Sequence, residues 1–169
     1  MRAKTSIIKK DLDNNPTETK DVAVMRAISV KVGSLMLIGF IAIFYVVYMM
    51  GYAQHSEFRV LNGVVHLSLM YVAIRAYYRT NPKNVENYLL GVEQGMQASI
   101  IGVVGYAMFI AVFLLIDPRL MNVIKDKSPM GIYLNPYSIT LYIFTEGLVV
   151  SLIGSYIMTR IYGFTIRAI

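Results

Sequence analysis

The stretch from 32 to 52, VGSLMLIGFIAIFYVVYMMGY, runs for twenty-one residues without a formal charge. At about 1.5 Å per residue, a helix of that length covers about 30 Å, the thickness of the hydrocarbon core of a bilayer. A surface helix of a soluble domain keeps a polar face for water, and this run has none. It predicts a membrane-spanning helix. Runs of the same kind follow at about 58–78, 96–116 and 137–158. The chain therefore reads as all-α: a polytopic membrane protein with four transmembrane helices.

Composition points the same way. Of 169 residues, 56% are hydrophobic and only 15% are charged, with mean hydropathy +0.55. A soluble domain of this size has too small a core to bury so much apolar side chain. The layout suggests a tail and helix extension over 1–31, a membrane domain over 32–163 and a short tail over 164–169. The polar lead before the first run is too long for an ordinary signal peptide, so that run is expected to be retained.

The net charge of +6 is a statement about orientation. Arg2, Lys4, Lys9, Lys10, Lys20, Arg26 and Lys31 precede span one, Arg75, Arg79 and Lys83 follow span two, and Arg160 and Arg167 follow span four. These twelve lie on one side, against Arg59, Arg119, Lys125 and Lys127 on the other. Positive residues favour the cytoplasmic side, so both ends are expected in the cytoplasm. No nucleic-acid patch is needed to explain the charge.

Four prolines follow Asn or Asp, at Asn15-Pro16, Asn81-Pro82, Asp117-Pro118 and Asn135-Pro136. Each pair predicts a helix start, the first residue capping free N–H groups and the proline fitting the first helical position. Glu18 gives Asn15 the spacing of a capping box. Val85, Tyr88, Leu89, Val92 and Met96 recur at helical spacing, with Gln94 counted on the polar side, and predict a short interfacial helix before span three. PRLMNVIK (118–125) predicts a second between spans three and four. Tyr45, Tyr48, Tyr52, Tyr77, Tyr78, Tyr133, Tyr137 and Tyr162 fall near span ends, where tyrosines anchor helices at the interface.

Glu146 stands within an otherwise apolar span, where a carboxylate costs a few kcal/mol unless it is satisfied. His66 lies in span two with Asn62 one turn away, and the three form a candidate intramembrane polar cluster. It reads either as a relay for protons or ions, or as hydrogen bonding that fixes helix pairing. A second pattern is Gly147, Ser151, Gly154 and Ser155 in span four with Gly95, Ser99 and Gly102 in span three. Small residues let helix backbones approach closely, so these are candidate packing faces.

Cys 0 removes disulfides, thiolate metal sites and iron–sulfur clusters, and of the two histidines His66 lies in span two and His55 in the short outer loop, so paired histidine ligands for an intramembrane haem are not expected. No metal-ligand spacing, phosphate-binding glycine loop or nucleophile with a base is visible. The expectation is no cofactor, no metal and no enzymatic activity.

The segments NPYSITLYIFTEGLVVSLIGSYIMTR (135–160) and LLGVEQGMQASIIGVVGYAMFIAVFLLIDP (89–118) resemble helices four and three of a family of four-helix bacterial inner-membrane proteins classed as a domain of unknown function. The likeness covers about 30–163. It implies the four-helix layout and a bacterial inner membrane, and brings no catalytic set. Members of that family commonly carry proline or a neutral residue near Glu146. The function expected is a non-catalytic membrane subunit or scaffold, partnered by the lipid bilayer and other membrane subunits, with a homo-oligomer possible. The alternative is a small ion- or proton-coupled transporter using Glu146 and His66.

Overall fold

A computed structural model describes residues 16–52 and 59–167, and among these the chain is all-helical, with no strand. Five helices carry it: α1 (Pro16–Met49), α2 (Arg59–Thr80), α3 (Tyr88–Ile116), α4 (Pro118–Lys127) and α5 (Pro136–Arg167). Four of them, α1, α2, α3 and α5, are long and apolar enough to cross a membrane. The expected capping pair Asn15 and Glu18, the Arg59 side chain and His55 fall outside what is described.

Helix ends follow local chemistry. α1 stops where Gly51 adopts φ +75, the left-handed conformation that costs glycine least. The Gly51 N–H then donates to Tyr48 O and the Tyr52 N–H to Val47 O, both at 3.0 Å, closing the last turn. At the start of α5, Asn135 Oδ1 accepts from the Ser138 N–H at 2.8 Å while Ser138 Oγ accepts from the Asn135 N–H at 2.9 Å. At the start of α4, Asp117 Oδ1 accepts from the N–H groups of Arg119 and Leu120. Asn81 differs. It makes no side-chain cap and opens only the 3₁₀ turn Pro82–Asn84.

That single turn is the short helical element before span three. The apolar series expected to lie there as an interfacial helix is mostly taken into α3, which begins at Tyr88 and runs unbroken to Ile116. Nothing in 88–96 interrupts a helix, so the span extends backward. α4 is the other short helix; it buries Leu120 and Met121 while its basic residues Lys125 and Lys127 fall in its last turn.

α3 is the central element, packed most extensively on α5 and α1, while α2 touches α1, α3 and α5. Around the bundle the order is α1, α2, α5, α3. At one end Met25, Met70, Ile74, Tyr77, Tyr78 and Tyr162 form one core cluster; at the other, Ile110 and Leu114 of α3 meet Leu120 and Met121 of α4. Three of the tyrosines expected as anchors, Tyr77, Tyr78 and Tyr162, are therefore core residues, buried because the ends of α2 and α5 converge. Tyr133 and Tyr137 are exposed.

The Tyr48 hydroxyl donates to Asp117 Oδ2 at 2.7 Å, tying the end of α1 to the start of α4. This bond, and secondarily the Leu120 and Arg119 N–H groups, holds the Asp117 carboxyl below the usual carboxylate range. A depressed carboxylate stabilises the fold above its ordinary pKa and loses that contribution as pH falls through its lowered one. Acidification below about pH 4 is therefore expected to loosen α4, read as lower protection of the amides of 118–127 against hydrogen exchange at that pH, corrected for the intrinsic exchange rate. Tyr48→Phe should show that lower protection already at neutral pH. Equal protection in both proteins at every pH refutes the tie.

Candidate functional site

Asn62, His66 and Glu146 line one cleft of about 120 Å³, together with Phe40, Tyr106 and Gly147. Asn62 and His66 lie one turn apart on α2, which aims both toward α5. His66 is 4% exposed, and its ring meets the edge of Phe40 with centroids 5.7 Å apart. The Ser151 hydroxyl donates to Gly147 O at 2.7 Å. The same oxygen lies 3.3 Å from His66 Nε2, a hydrogen bond whose direction follows the tautomer of the ring. Asn62 Oδ1 is buried with no hydrogen-bond partner.

Glu146 occupies the rim of the cleft and not its floor. Its neighbour Gly147 lies in the stripe Gly147, Ser151, Ser155 that turns toward α3, and one residue along a helix is a rotation of about 100°. Glu146 is thereby exposed on the outer side of the bundle. The candidate cluster of Asn62, His66 and Glu146 is thus a shared cleft with the carboxylate at its mouth.

The small residues fall into three seams. A Cβ on Gly95 would sit 2.9 Å from Ser155 Cβ, and Gly147 packs against Val103, so Gly95 and Gly147 join α3 to α5. The pairs Gly95–Ser155 and Val103–Gly147 fix an antiparallel register in steps of four, which sets Ser99 opposite Ser151; both are fully buried. Gly102 instead meets Met36 of α1, and Gly154 meets Leu67 and Met70 of α2. The set is thus divided among three interfaces.

Two features escaped the sequence reading. Gly33 brings α1 against α3, its Cβ position lying 2.6 Å from Ala98 O. Gln94, counted on the polar side, is fully buried and donates to Ser29 Oγ at 2.9 Å. Its spacing held the signal: 91, 94, 95 and 98 share a helix face, and three of those four are Gly or Ala.

The cleft is chemically modest. It has room for on the order of four waters or one polar group of a neighbouring helix. Beyond His66 the bundle is filled by Met36, Met70, Ile74 and Tyr77, all fully buried. Among the described residues no three His, Cys, Asp or Glu side chains assemble as a metal site.

No protein-family model, curated protein or solved structure matches this chain.

Proposed function

We propose that this chain is a non-catalytic subunit or scaffold of a larger bacterial inner-membrane assembly, with both ends in the cytoplasm. The orientation rests on the bias of basic residues, and the bacterial membrane on the resemblance of spans three and four. The observation that carries the reading is the exposed position of Glu146 on α5, ten residues in from Pro136 and well inside an apolar span. A charged side chain exposed to lipid at that depth costs a few kcal/mol, and a partner helix laid over this face of α5 shields it. Tyr142, Val149 and Ile153, exposed on the same side of α5, extend the surface such a helix would cover.

The test is copurification from native membranes in mild detergent. A membrane protein is expected at fixed stoichiometry with the wild-type chain and reduced about tenfold or more with Glu146→Leu, the loss matching a charge-assisted hydrogen bond. The elution volume of the isolated variant checks that it folds. A lone wild-type monomer, or a partner retained by the variant, overturns the proposal.

Proton- or ion-coupled transport is the second reading, favoured by the gathering of Asn62, His66 and Glu146 on one cleft. Against it stand the buried side chains beyond His66 and the close contact of Gly95 with Ser155, which narrow the route through the bundle. Proton flux in reconstituted vesicles that Glu146→Gln and His66→Asn both abolish would establish this reading over the first.

A further inference from the structure

At the opposite end of the bundle a second cleft, of about 400 Å³, opens between the turn joining α2 to α3 and the last turns of α5. Glu86 contributes a carboxylate from the turn and Arg160 a guanidinium from α5. Among the described residues no ion pair joins the two, and Arg160 lies over the Phe164 ring, 5.1 Å from its centroid. Thr159, 3% exposed, also lines the cleft, and its hydroxyl has no hydrogen-bond partner.

Opposite charges held apart on one cleft suit a ligand that is itself a dipolar ion. The guanidinium matches a phosphate geometrically, and the carboxylate matches an ammonium. The depth narrows the choice. The cleft is level with the end of α2 at Thr80 and the start of α3 at Tyr88, where apolar spans give way to headgroups. From there Leu152 and Tyr156, both exposed on α5, lead toward the bundle middle as a track for acyl chains. We propose that this cleft binds the headgroup of a zwitterionic phospholipid with a primary ammonium, phosphatidylethanolamine, its phosphate on Arg160 and its ammonium on Glu86.

The aromatic residues decide between ethanolamine and choline. A quaternary ammonium needs several open ring faces converging on it, whereas Tyr78 and Tyr162 close their facing sides on each other, centroids 5.3 Å and planes 6° apart, Tyr88 meets Tyr156 edge to face, and Arg160 lies over the Phe164 ring. A primary ammonium needs an acceptor for its N–H groups, which Glu86 is. Choline offers no such donor.

The experiment is thermal unfolding of the delipidated full chain in detergent, titrated with short-chain phosphatidylethanolamine, phosphatidylcholine or phosphatidylglycerol, or with free phosphoethanolamine. Phosphatidylethanolamine is expected to half-saturate at a concentration about tenfold below the other two lipids, the worth of one charge-assisted hydrogen bond, and free phosphoethanolamine to give no shift. Glu86→Gln should erase the preference for ethanolamine over choline, and Arg160→Gln should weaken all three lipids. Both residues are exposed, and elution volume checks that the variants fold. Equal response of the wild type to all three lipids, a preference that survives Glu86→Gln, or a shift with free phosphoethanolamine matching the lipid's overturns the proposal. The wild-type comparison decides it even if a variant fails to fold.

Discussion

Replacing Gly33 with leucine is expected to lower the midpoint of thermal unfolding in detergent by about 10 °C, from an overpacking cost of about 3 kcal/mol. A Cβ at 33 would lie 2.6 Å from Ala98 O and 2.7 Å from Ile101 Cβ. The first of these atoms is backbone within α3, so relief requires the whole helix to move. Moving it opens the layer where Val32, Ala73 and Ala98 are packed together, and in lipid that dispersion is a principal force holding helices together. Gly63→Ala is the control, because a Cβ there meets nothing within 4 Å; it should melt like wild type or slightly higher. A Gly33→Leu protein melting within about 2 °C of wild type, less than the shift from 1 kcal/mol, would show that the α1–α3 contact is not close.

Tyr77→Ala should cost about 3–5 kcal/mol, as for other large aromatic residues truncated in a packed core. Tyr77 is fully buried among Met25, Met70, Ile74, Tyr78 and Tyr162, and truncation leaves a hole between α1, α2 and α5 that no neighbour fills. Its hydroxyl also accepts from Asn84 Nδ2 at 3.1 Å, and that amide reaches Asp21 Oδ2 at 3.2 Å. Tyr77→Phe keeps the ring and loses only this bond, at about 1 kcal/mol. The two variants therefore separate packing from hydrogen bonding: both should free the turn after α2, read as cleavage at Lys83, but only the alanine should lower the global melting point strongly. Equal melting of the two would place the weight of this cluster in the hydrogen bond.

The helical spans were legible because a bilayer imposes length and apolarity on each run separately, and the caps at Asp117 and Asn135 because they involve residues no more than three apart. Asn81 carried the same dipeptide and makes no cap, since the chain turns again after Asn84 before α3 begins. The polar candidates were identifiable by type: Asn62, His66 and Glu146 are conspicuous in apolar surroundings, and they share a cleft. Which of them is covered was not identifiable. Glu146 reaches the rim because Gly147 takes the inward position beside it, and that depends on the rotation of α5 against α3.

The run at 32–52 determined by itself that this chain places a helix across a membrane, and its three counterparts determined the count, because insertion is decided by the solvent each segment meets. Only the tertiary structure decided how the small residues divide among seams, that Gly33 bears the α1–α3 contact, that Gln94 and Tyr77 are interior, and that Glu86 and Arg160 share a cleft. Those facts depend on helix rotation and register, which are set by close packing between segments distant in the chain, and lipid, being apolar on every side, does not dictate which face of a helix turns inward.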